Sequence, residues 1–460
     1  MEMDRIEFGA LIRKRRKELG LTLNDLANSQ VSVPTLSNIE RGVVYNVSEE
    51  KLTYIMERLG LTKEDIEEMA RKTKQEEQRL AARISVARHL IQLKLYDEAR
   101  RALSQLEKDE LDDFPYYNIS VQLQKGILYR KRQQWGRAKR ALQSVIRMAQ
   151  ESNVKHKQNL VAEANYFLSI CAFYGDQDYK KAIEYADQAL DAFQEDKENL
   201  YFKGQILHDK ATYCYHLERY GTAYKYVLEA QKVSAQTYDI RLLILEYNLE
   251  GLILSEQQMY DNAIQTLEKA IALSRKYYPV PDTASLLYLN LAEMYCRSKA
   301  FDEAIRCLDI AHKLCQMTKD QNILAIIYYL YGVVYYETQE LDKAKTYATK
   351  ATKLAEKFEL TSEYLQLLEL KAKIALECRS EDIKEVSQEG IQLADKTNLF
   401  DKKKEFHYIL AKYYVPMLRD QTVAPQKTQL NSPCKNLIRE GNIQRRDAPL
   451  FCRIGHTALV

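Results

Sequence analysis

The segment that decides the fold is LEGLILSEQQMYDNAIQTLEKAIA, residues 249–272. It contains a glycine at 251, a block of the form aromatic-x-x-Ala-x-x-x-Leu at 260–267, and a further alanine at 270. Variants of this block occur seven times, with the alanines spaced by 39, 44, 41, 40, 41 and 40 residues. The alanines are Ala99, Ala138, Ala182, Ala223, Ala263, Ala304 and Ala344. A fixed period of roughly 20–50 residues indicates a repeat array.

Two further landmarks recur with the repeat alanine. A small residue stands twelve positions before it at Gly126, Ala211, Gly251, Ala292 and Gly332. Another alanine stands seven positions after it at Ala189, Ala230, Ala270, Ala311 and Ala351. This pattern resembles tetratricopeptide (TPR) repeats, whose paired helices cross closely at small residues. The resemblance implies a right-handed TPR superhelix of about seven to nine repeats, including a degenerate one at 363–394 and a closing helix at 403–414.

Composition points to the all-α class. The chain has only 14 glycines and 8 prolines in 460 residues, too few turn-forming residues for a β-sandwich or a βαβ enzyme. The 68 basic and 65 acidic residues nearly cancel, leaving a net charge of +3. A uniformly basic nucleic-acid coat is therefore excluded, and any contact with DNA must come from a local patch.

The sequence shows no targeting segment, no metal-binding motif and no catalytic motif. The N-terminus MEMDRIEFGA is charged, and the longest uncharged apolar stretch, 323–336, is too short to span a bilayer. We therefore expect a cytoplasmic protein that does not contact a membrane. The eight cysteines and seven histidines lack metal-ligand spacing, so free thiols and no metal or other cofactor are expected. Without a phosphate-binding or nucleophile motif, no enzymatic activity is expected.

The first seventy residues read as a set of short helices. Thr22 and Ser32 are good N-caps, and Gly42 is a helix terminator. Leu36 and Ile39 form the inner face of the helix between Ser32 and Gly42. The first helix is predicted to bury an apolar stripe of Phe8, Leu11, Ile12 and Leu19. Two short helices joined by a tight turn, with small polar residues facing outward on the second, indicate a helix-turn-helix.

The amino-acid sequence of this region contains motifs that are typical of one helix-turn-helix family. FGALIRKRRKELGLT at 8–22, followed by LA at 26–27 and TLSNIERG at 35–42, resembles the phage-repressor-like (XRE) helix-turn-helix family over about residues 5–62. Two features depart from the family pattern. Leu23 stands where the family often has a glutamine that reaches DNA, and the turn before Leu36 is one residue shorter than the common form.

Polar residues on the outer face of the second helix are candidates for reading bases. Asn38 could pair with an adenine edge, and Thr35 could meet a thymine methyl or a polar base edge. Residues 12–42 carry six basic and three acidic residues, which suits phosphate contacts. The predicted DNA-contacting residues are Arg13, Arg16, Lys17, Ser32, Pro34, Thr35, Ser37, Asn38 and Arg41. Two alternatives are that the basic run is only a solvated helix face, and that the head is a vestigial docking module.

The repeats offer a concave face made by the first helix of each pair. An asparagine on that face can pair with both the N–H and the C=O of an extended peptide. The predicted peptide-binding residues are Asn165, His208, Asn248, Asn290 and Tyr329. The alternative for these positions is an ordinary surface role. The tyrosine-rich faces around residue 331 favour packing over a ligand cage.

The chain therefore divides into four predicted parts. Residues 1–62 form a five-helix DNA-binding head, and 63–84 form a charged linker helix that transmits position. Residues 85–414 form the repeat domain. Residues 415–460 contain half of the prolines and no repeat landmark, which predicts a disordered tail.

The order of these parts resembles the RRNPP family of quorum-sensing regulators, close to its neutral protease regulator and PlcR-like branches. The resemblance implies a homodimer that binds double-stranded DNA and takes a short signalling peptide in its repeat groove. The peptide would change the dimer arrangement and so the DNA binding. Two alternatives are open: repeats that bind a response regulator and promote its dephosphorylation, and a prophage-type repressor controlled by a protein partner.

Overall fold

The computed structural model describes residues 5–43, 48–108, 111, 114–152, 157–195, 200–358, 361–397 and 399–419. The chain forms two compact units, residues 1–217 and 218–460. In the described part of both units every regular element is a helix, which confirms the predicted all-α class. None of the described helices combines the length and apolar character needed to cross a membrane.

The helices have the following bounds. The described part of the first unit contains α1 (Arg5–Glu18), α2 (Leu23–Leu26), α3 (Val33–Glu40), α4 (Glu49–Arg58), α5 (Lys63–Gln92), α6 (Tyr96–Lys108), α7 (Pro115–Lys131), α8 (Trp135–Glu151), α9 (Lys157–Ile170), a π-helix (Cys171–Gly175), α10 (Tyr179–Ala192) and α11 (Leu200–His216). That of the second contains α12 (Tyr220–Thr237), α13 (Ile240–Glu256), α14 (Tyr260–Tyr277), α15 (Pro281–Arg297), α16 (Phe301–Thr318), α17 (Gln321–Glu337), α18 (Leu341–Lys357), α19 (Thr361–Glu377), α20 (Asp382–Lys396) and α21 (Phe400–Arg419).

Helices α1 to α4 and the start of α5 enclose one apolar core, as expected for the five-helix head. The buried members of this core are Phe8, Leu11, Ile12, Leu26, Val31, Leu36, Ile39, Ile55, Leu59, Leu61 and Ile66. One predicted member is wrong: Leu19 is 43% exposed. Helix α1 ends at Glu18, and the chain turns away through Gly20 at φ 68°, so Leu19 cannot stay on the apolar stripe.

Helix α5 serves both the head and the repeats. Its first turns place Ile66 in the head core, and its last turns place Leu80, Ile84, Ala87 and Ile91 in the first core of the repeat array. The helix is continuous over thirty residues, so it passes through the predicted boundary at 84/85 without a break. The predicted linker is thus the middle of a helix that also forms the first repeat.

The repeat landmarks lie where the TPR pattern predicts. All seven repeat alanines are on the second helix of a pair and have no exposed surface, and the same holds for the five alanines seven residues later. Helices α13 and α14 have 17 and 18 residues, which explains a period near 40. The degenerate eighth repeat is formed by α19 and α20, and α21 closes the stack through Phe406.

Glycine permits close helix approach in at least two pairs. A Cβ on Gly126 would lie 2.6 Å from Leu142 Cδ2, and one on Gly251 would lie 2.9 Å from Leu267 Cγ. Each leucine follows the repeat alanine of its helix by four residues. The close contact predicted between paired helices is therefore made by the glycine and this leucine.

Two features of the chain deviate from the regular pattern. The longest spacing, between Ala138 and Ala182, contains the π-helix, whose wider turn accommodates an extra residue.

The predicted tail at 415–460 begins inside α21, which continues to Arg419. The rest of that tail lies outside the described residues.

Candidate DNA-contacting surface and repeat-lining residues

The helix-turn-helix is fixed by local caps. Thr22 Oγ1 accepts a hydrogen bond from the Asp25 N–H at 3.3 Å, and Asp25 Oδ2 accepts one from the Thr22 N–H at 2.7 Å. These two bonds form a capping box that starts α2, with Thr22 as the predicted N-cap. Ser32 caps α3 by accepting from the Thr35 N–H at 3.3 Å, also as predicted.

The end of α3 is equally well defined. The N–H of Gly42 donates to the carbonyl of Ile39 at 2.9 Å, and the N–H of Val43 donates to that of Asn38 at 3.0 Å. These are the two hydrogen bonds of a Schellman motif, and Gly42 supplies the left-handed backbone that the motif needs, at φ 66°. The length and both ends of α3 are therefore determined by nearby residues.

Helix α3 is clamped to α1 at two points. A Cβ on Gly9 would clash with the carbonyl oxygen of Ile39, so only glycine allows this approach. Arg16 forms a bidentate ion pair with Glu40, with Nε to Oε1 at 2.6 Å and Nη2 to Oε2 at 2.9 Å. The third guanidinium nitrogen, Nη1, donates to the Leu21 carbonyl at 2.7 Å. The Arg16 and Glu40 side chains are only 12% and 5% exposed.

The role predicted for Arg16 needs correction. All three of its guanidinium nitrogens are occupied by Glu40 and Leu21, and the hydrogen bond to Glu40 raises the pKa of Arg16 above its ordinary value. The side chain therefore positions α3 instead of facing solvent. Arg16 is therefore a positioning residue and is not among the residues proposed to contact DNA.

The other predicted DNA-contacting residues are accessible to different degrees. Those that are exposed are Arg13, Lys17, Ser32, Pro34 and Arg41, and those that are half-buried are Thr35, Ser37 and Asn38. Two side-chain pairs organise the outer face of α3. The hydroxyls of Ser32 and Thr35 lie 2.9 Å apart, and Arg41 Nη2 donates to Asn38 Oδ1 at 3.4 Å. Arg41 thus orients the Asn38 side-chain amide through a hydrogen bond to its oxygen.

The predicted peptide-binding residues are distributed over both units. Asn165 and His208 lie in the first, and Asn248, Asn290 and Tyr329 lie in the second. The expectation that they face an open groove is wrong for this conformation, because none is more than 8% exposed. In the second unit, consecutive first helices pack against one another, α13 against α15 and α15 against α17. In the second unit, Asn290 Nδ2 donates to Asn248 Oδ1 at 2.7 Å.

The tyrosine-rich face of α17 is used for packing. Tyr331 and Tyr335 stack on Tyr347 of α18, with ring centroids 4.8 and 5.5 Å apart. Lys350 lies over the Tyr347 ring at 5.0 Å from its centroid. These contacts join neighbouring helices, which agrees with the prediction that the tyrosines serve packing and do not form a ligand cage.

Buried acidic residues were missed by sequence reasoning. Glu246 of α13 has no exposed surface, and its Oε1 accepts a hydrogen bond from Ser234 Oγ at 2.8 Å. Burial raises its pKa to about 8. A glutamate inside the apolar run LLILEYNL, residues 242–249, was the signal that could have found it.

A second buried acidic group is balanced by arginine. Arg297 contacts Glu256 Oε1 at 3.1 Å and Glu293 Oε1 at 2.8 Å. Burial nevertheless raises the pKa of Glu293, since the arginine offsets only part of the lost hydration. The first helices of the second unit therefore have ion pairs where an exposed groove was expected.

Several family models match parts of the chain. A helix-turn-helix domain model matches residues 7–69, and tetratricopeptide repeat models match residues 123–197, 247–277 and 282–357. A model of anaphase-promoting complex subunit 5 matches residues 166–254. No curated protein sequence matches the chain. The chain thus combines an XRE-type helix-turn-helix domain with TPR repeats.

Solved structures share this fold. The apo form of the quorum sensor NprR from Bacillus thuringiensis superposes with a TM-score of 0.59 at 15% identity, covering 75% of this chain and 96% of that one. The apo form of RapI gives a TM-score of 0.57 at 13% identity, covering 79% and 99%. A signal transduction ATPase with a TPR sensor from Pyrococcus horikoshii gives 0.50 at 14% identity, covering 90% and 60%. Identities this low show the fold alone.

Proposed function

We propose that the protein is a transcription regulator whose TPR repeats bind a short signalling peptide and thereby change how its head binds DNA. The observation that carries the proposal is the clamped α3, which presents polar side chains outward on a head joined to a repeat array by the continuous α5. The likeness to NprR, a quorum sensor, supports the peptide as the signal.

In this account α3 enters the major groove of DNA. A clamped helix presents its side chains with little conformational freedom, which base readout needs. The Asn38 and Arg41 pair would contact base edges, while Arg13 and Lys17 would contact phosphates. Thr35, Ser37 and Pro34 would complete the surface at the start of the helix, with Ser32 as its cap.

The active form is proposed to be a homodimer without a cofactor or a catalytic role. Two heads related by a two-fold axis would read two half-sites separated by about one or more helical turns of DNA. A peptide shifts such a system only by the difference in its affinity for the two arrangements. We place the protein in the cytoplasm, where DNA and an imported peptide would both be available.

The division between base and phosphate contacts is testable. Asn38→Ala should relax sequence preference at one base position, with a loss of about 1–3 kcal/mol for the preferred base. Arg13→Ala should weaken all duplexes about equally and reduce the slope of log K against log salt by about one unit. Titration of matched and single-mismatch duplexes at several salt concentrations measures both effects. If both variants lose only sequence-specific binding, the division is wrong.

A further inference from the structure

Exposed apolar side chains of the second unit concentrate at one edge. Each turn that leads from one helix pair to the next joins two helices that pack on each other, so these turns lie together at one end of the antiparallel helices. Every one of the five carries a large apolar residue that is between 37% and 84% exposed. These residues, which we call the apolar ridge, are Tyr238, Tyr277, Met317, Phe358, Leu399 and Phe400.

The opposite edge of the second unit provides an internal comparison. Its turns join the two helices of one pair, and polar residues such as Gln258, Lys299 and Gln339 take their left-handed positions. In the described part of these turns, Met259 is the one large apolar residue that is exposed. Both edges consist of short turns between packed helices. Helix packing therefore does not by itself require apolar side chains at the ridge.

Tyr238 shows most clearly that the ridge does not serve the fold of the single chain. The residue is 84% exposed and has left-handed backbone at φ 56°. A bulky residue in this region is unusual, and a side chain that stays in water gains little packing energy in return. Lys319 takes the corresponding position between α16 and α17 at φ 59°. A polar side chain thus fits the same turn.

The ridge follows the repeat and is symmetric about its middle. Residues 238, 277, 317, 358 and 399 are separated by 39, 40, 41 and 41 positions, which is one apolar residue for each turn. Met317 is the central member, with two turns on either side. A two-fold axis at Met317 would place it against its own copy and Tyr277 against Phe358. The ridge is therefore self-complementary, as an isologous interface requires.

Charge and size both suit a second copy as the occupant of this edge. Each turn contains charges of both signs, as in adjacent Lys319 and Asp320 or the ion pair of Lys403 with Asp395 at 2.7 Å. Two such edges would not repel each other, and they do not select a strongly acidic or basic partner. The ridge exposes roughly 700 Å² in total, at about 200 Å² for a whole large side chain. A standard interface buries about 800 Å² on each partner, so the ridge provides most of one side.

We infer that two copies of the chain associate through the apolar ridge, with the two-fold axis at Met317. The inference gives an interface to the homodimer of the proposed function and in that respect rests on it. Association removes the exposed apolar side chains of both copies from water, which is the driving force. The interface is built from turns, so the inner faces of the first helices take no part in it.

Sedimentation equilibrium of the full chain tests the inference. Met317→Lys would bring two ammonium groups together at the axis, so the dissociation constant of the dimer should rise at least tenfold. The residue is 69% exposed in the last turn of α16, where a lysine favours the helix end, so the variant should fold normally. Met259→Lys is the matched control, because Met259 is 44% exposed at the opposite edge. It should leave the dissociation constant unchanged.

A charge swap tests the position of the axis. Met317→Glu should weaken the homodimer as Met317→Lys does, but an equimolar mixture of the two variants should form a heterodimer more tightly than either forms a homodimer. Native mass spectrometry, with a tag on one variant, measures the three species. Recovery in the mixture is expected where residue 317 of one copy meets residue 317 of the other.

Three results would overturn the inference in different ways. A wild type that stays monomeric at its highest soluble concentration would remove the ridge and the proposed homodimer together, while DNA titration still tests the head separately. A dimer that persists in Met317→Lys would remove the ridge and leave the homodimer intact. Weakened homodimers without recovery in the mixture would show that Met317 does not lie at a two-fold axis.

Discussion

Replacing Arg16 with alanine is expected to lower the free energy of unfolding of the head by about 3–5 kcal/mol. The Glu40 side chain is only 5% exposed in the intact pair. The substitution removes its bidentate partner and also the donor to the Leu21 carbonyl. A buried charge without a partner is among the largest single destabilising effects in proteins. Native-state hydrogen exchange of the α1 and α3 amides in the full chain measures the loss where it occurs.

A neighbouring arginine is the matched control. Arg15 pairs with Glu18 at 3.3 Å, with 34% and 45% of the two side chains exposed, and its Nε donates to the Leu59 carbonyl at 3.4 Å. A solvent-accessible pair contributes about 0–1 kcal/mol, and the hydrogen bond to Leu59 is long, so Arg15→Ala should change α1 and α3 exchange much less than Arg16→Ala does. Equal effects of Arg15→Ala and Arg16→Ala would contradict the clamp.

A double substitution separates positioning from DNA contact. Arg16→Met combined with Glu40→Leu replaces the buried pair with apolar side chains, which often costs little or even stabilises. If Arg16 only positions α3, Arg16→Ala should abolish specific DNA binding and the double variant should restore most of it. If Arg16 contacted phosphate instead, the double variant would fold but still bind DNA weakly.

The second large effect is expected at Glu246 of the second unit. Its pKa is about 8 in the folded chain, against an ordinary value of 4.5, because burial removes water and Asp239 adds a like charge. The stability contributed by Glu246 is therefore fully present below pH 4.5 and is lost as the pH rises toward 8. The folded chain keeps this carboxyl protonated at neutral pH, whereas the unfolded chain ionises it.

Glu246→Gln removes this penalty because an amide cannot ionise and can still accept from Ser234. The variant should be more stable than wild type by about 3 kcal/mol at pH 7, rising to about 5 kcal/mol above pH 8. Near pH 4 the two should be alike. Urea unfolding at pH 4, 7 and 8.5, followed by far-ultraviolet circular dichroism, measures the difference, and exposed Glu268→Gln serves as the control. A difference that does not change with pH would contradict the buried, protonated state.

Local sequence patterns predicted much of the fold. The repeat alanines lie at close contacts because only a small side chain fits there, so their spacing gives the helix pairs directly. The caps at Thr22 and Ser32 were predictable because each partner is three residues away. The turns between paired helices were not. They use left-handed backbone at non-glycine residues such as Gln258, at φ 63°, which leaves no glycine for the sequence to signal.

The site was predicted less well than the fold, because its main interactions are between distant residues. Arg16 and Glu40 are 24 positions apart in the sequence. The sequence therefore could not show which basic residues of α1 stabilise the head and which are available to contact DNA. The five predicted groove residues were assigned from their position on a helix. Their burial depends on packing against other helices, and the sequence of a single repeat does not contain that information.

The central claim is that a peptide controls a DNA-binding head. The most direct test is selection of bound sites from a random duplex pool by the full-length protein, with and without the small-peptide fraction of spent culture medium. The account predicts enrichment of near-palindromic sites with half-sites about 10 base pairs apart or a multiple of that distance, and an enrichment that changes with the peptide fraction. Sites that ignore the fraction would support a repressor controlled by a protein partner. No enrichment even at low salt would contradict the account.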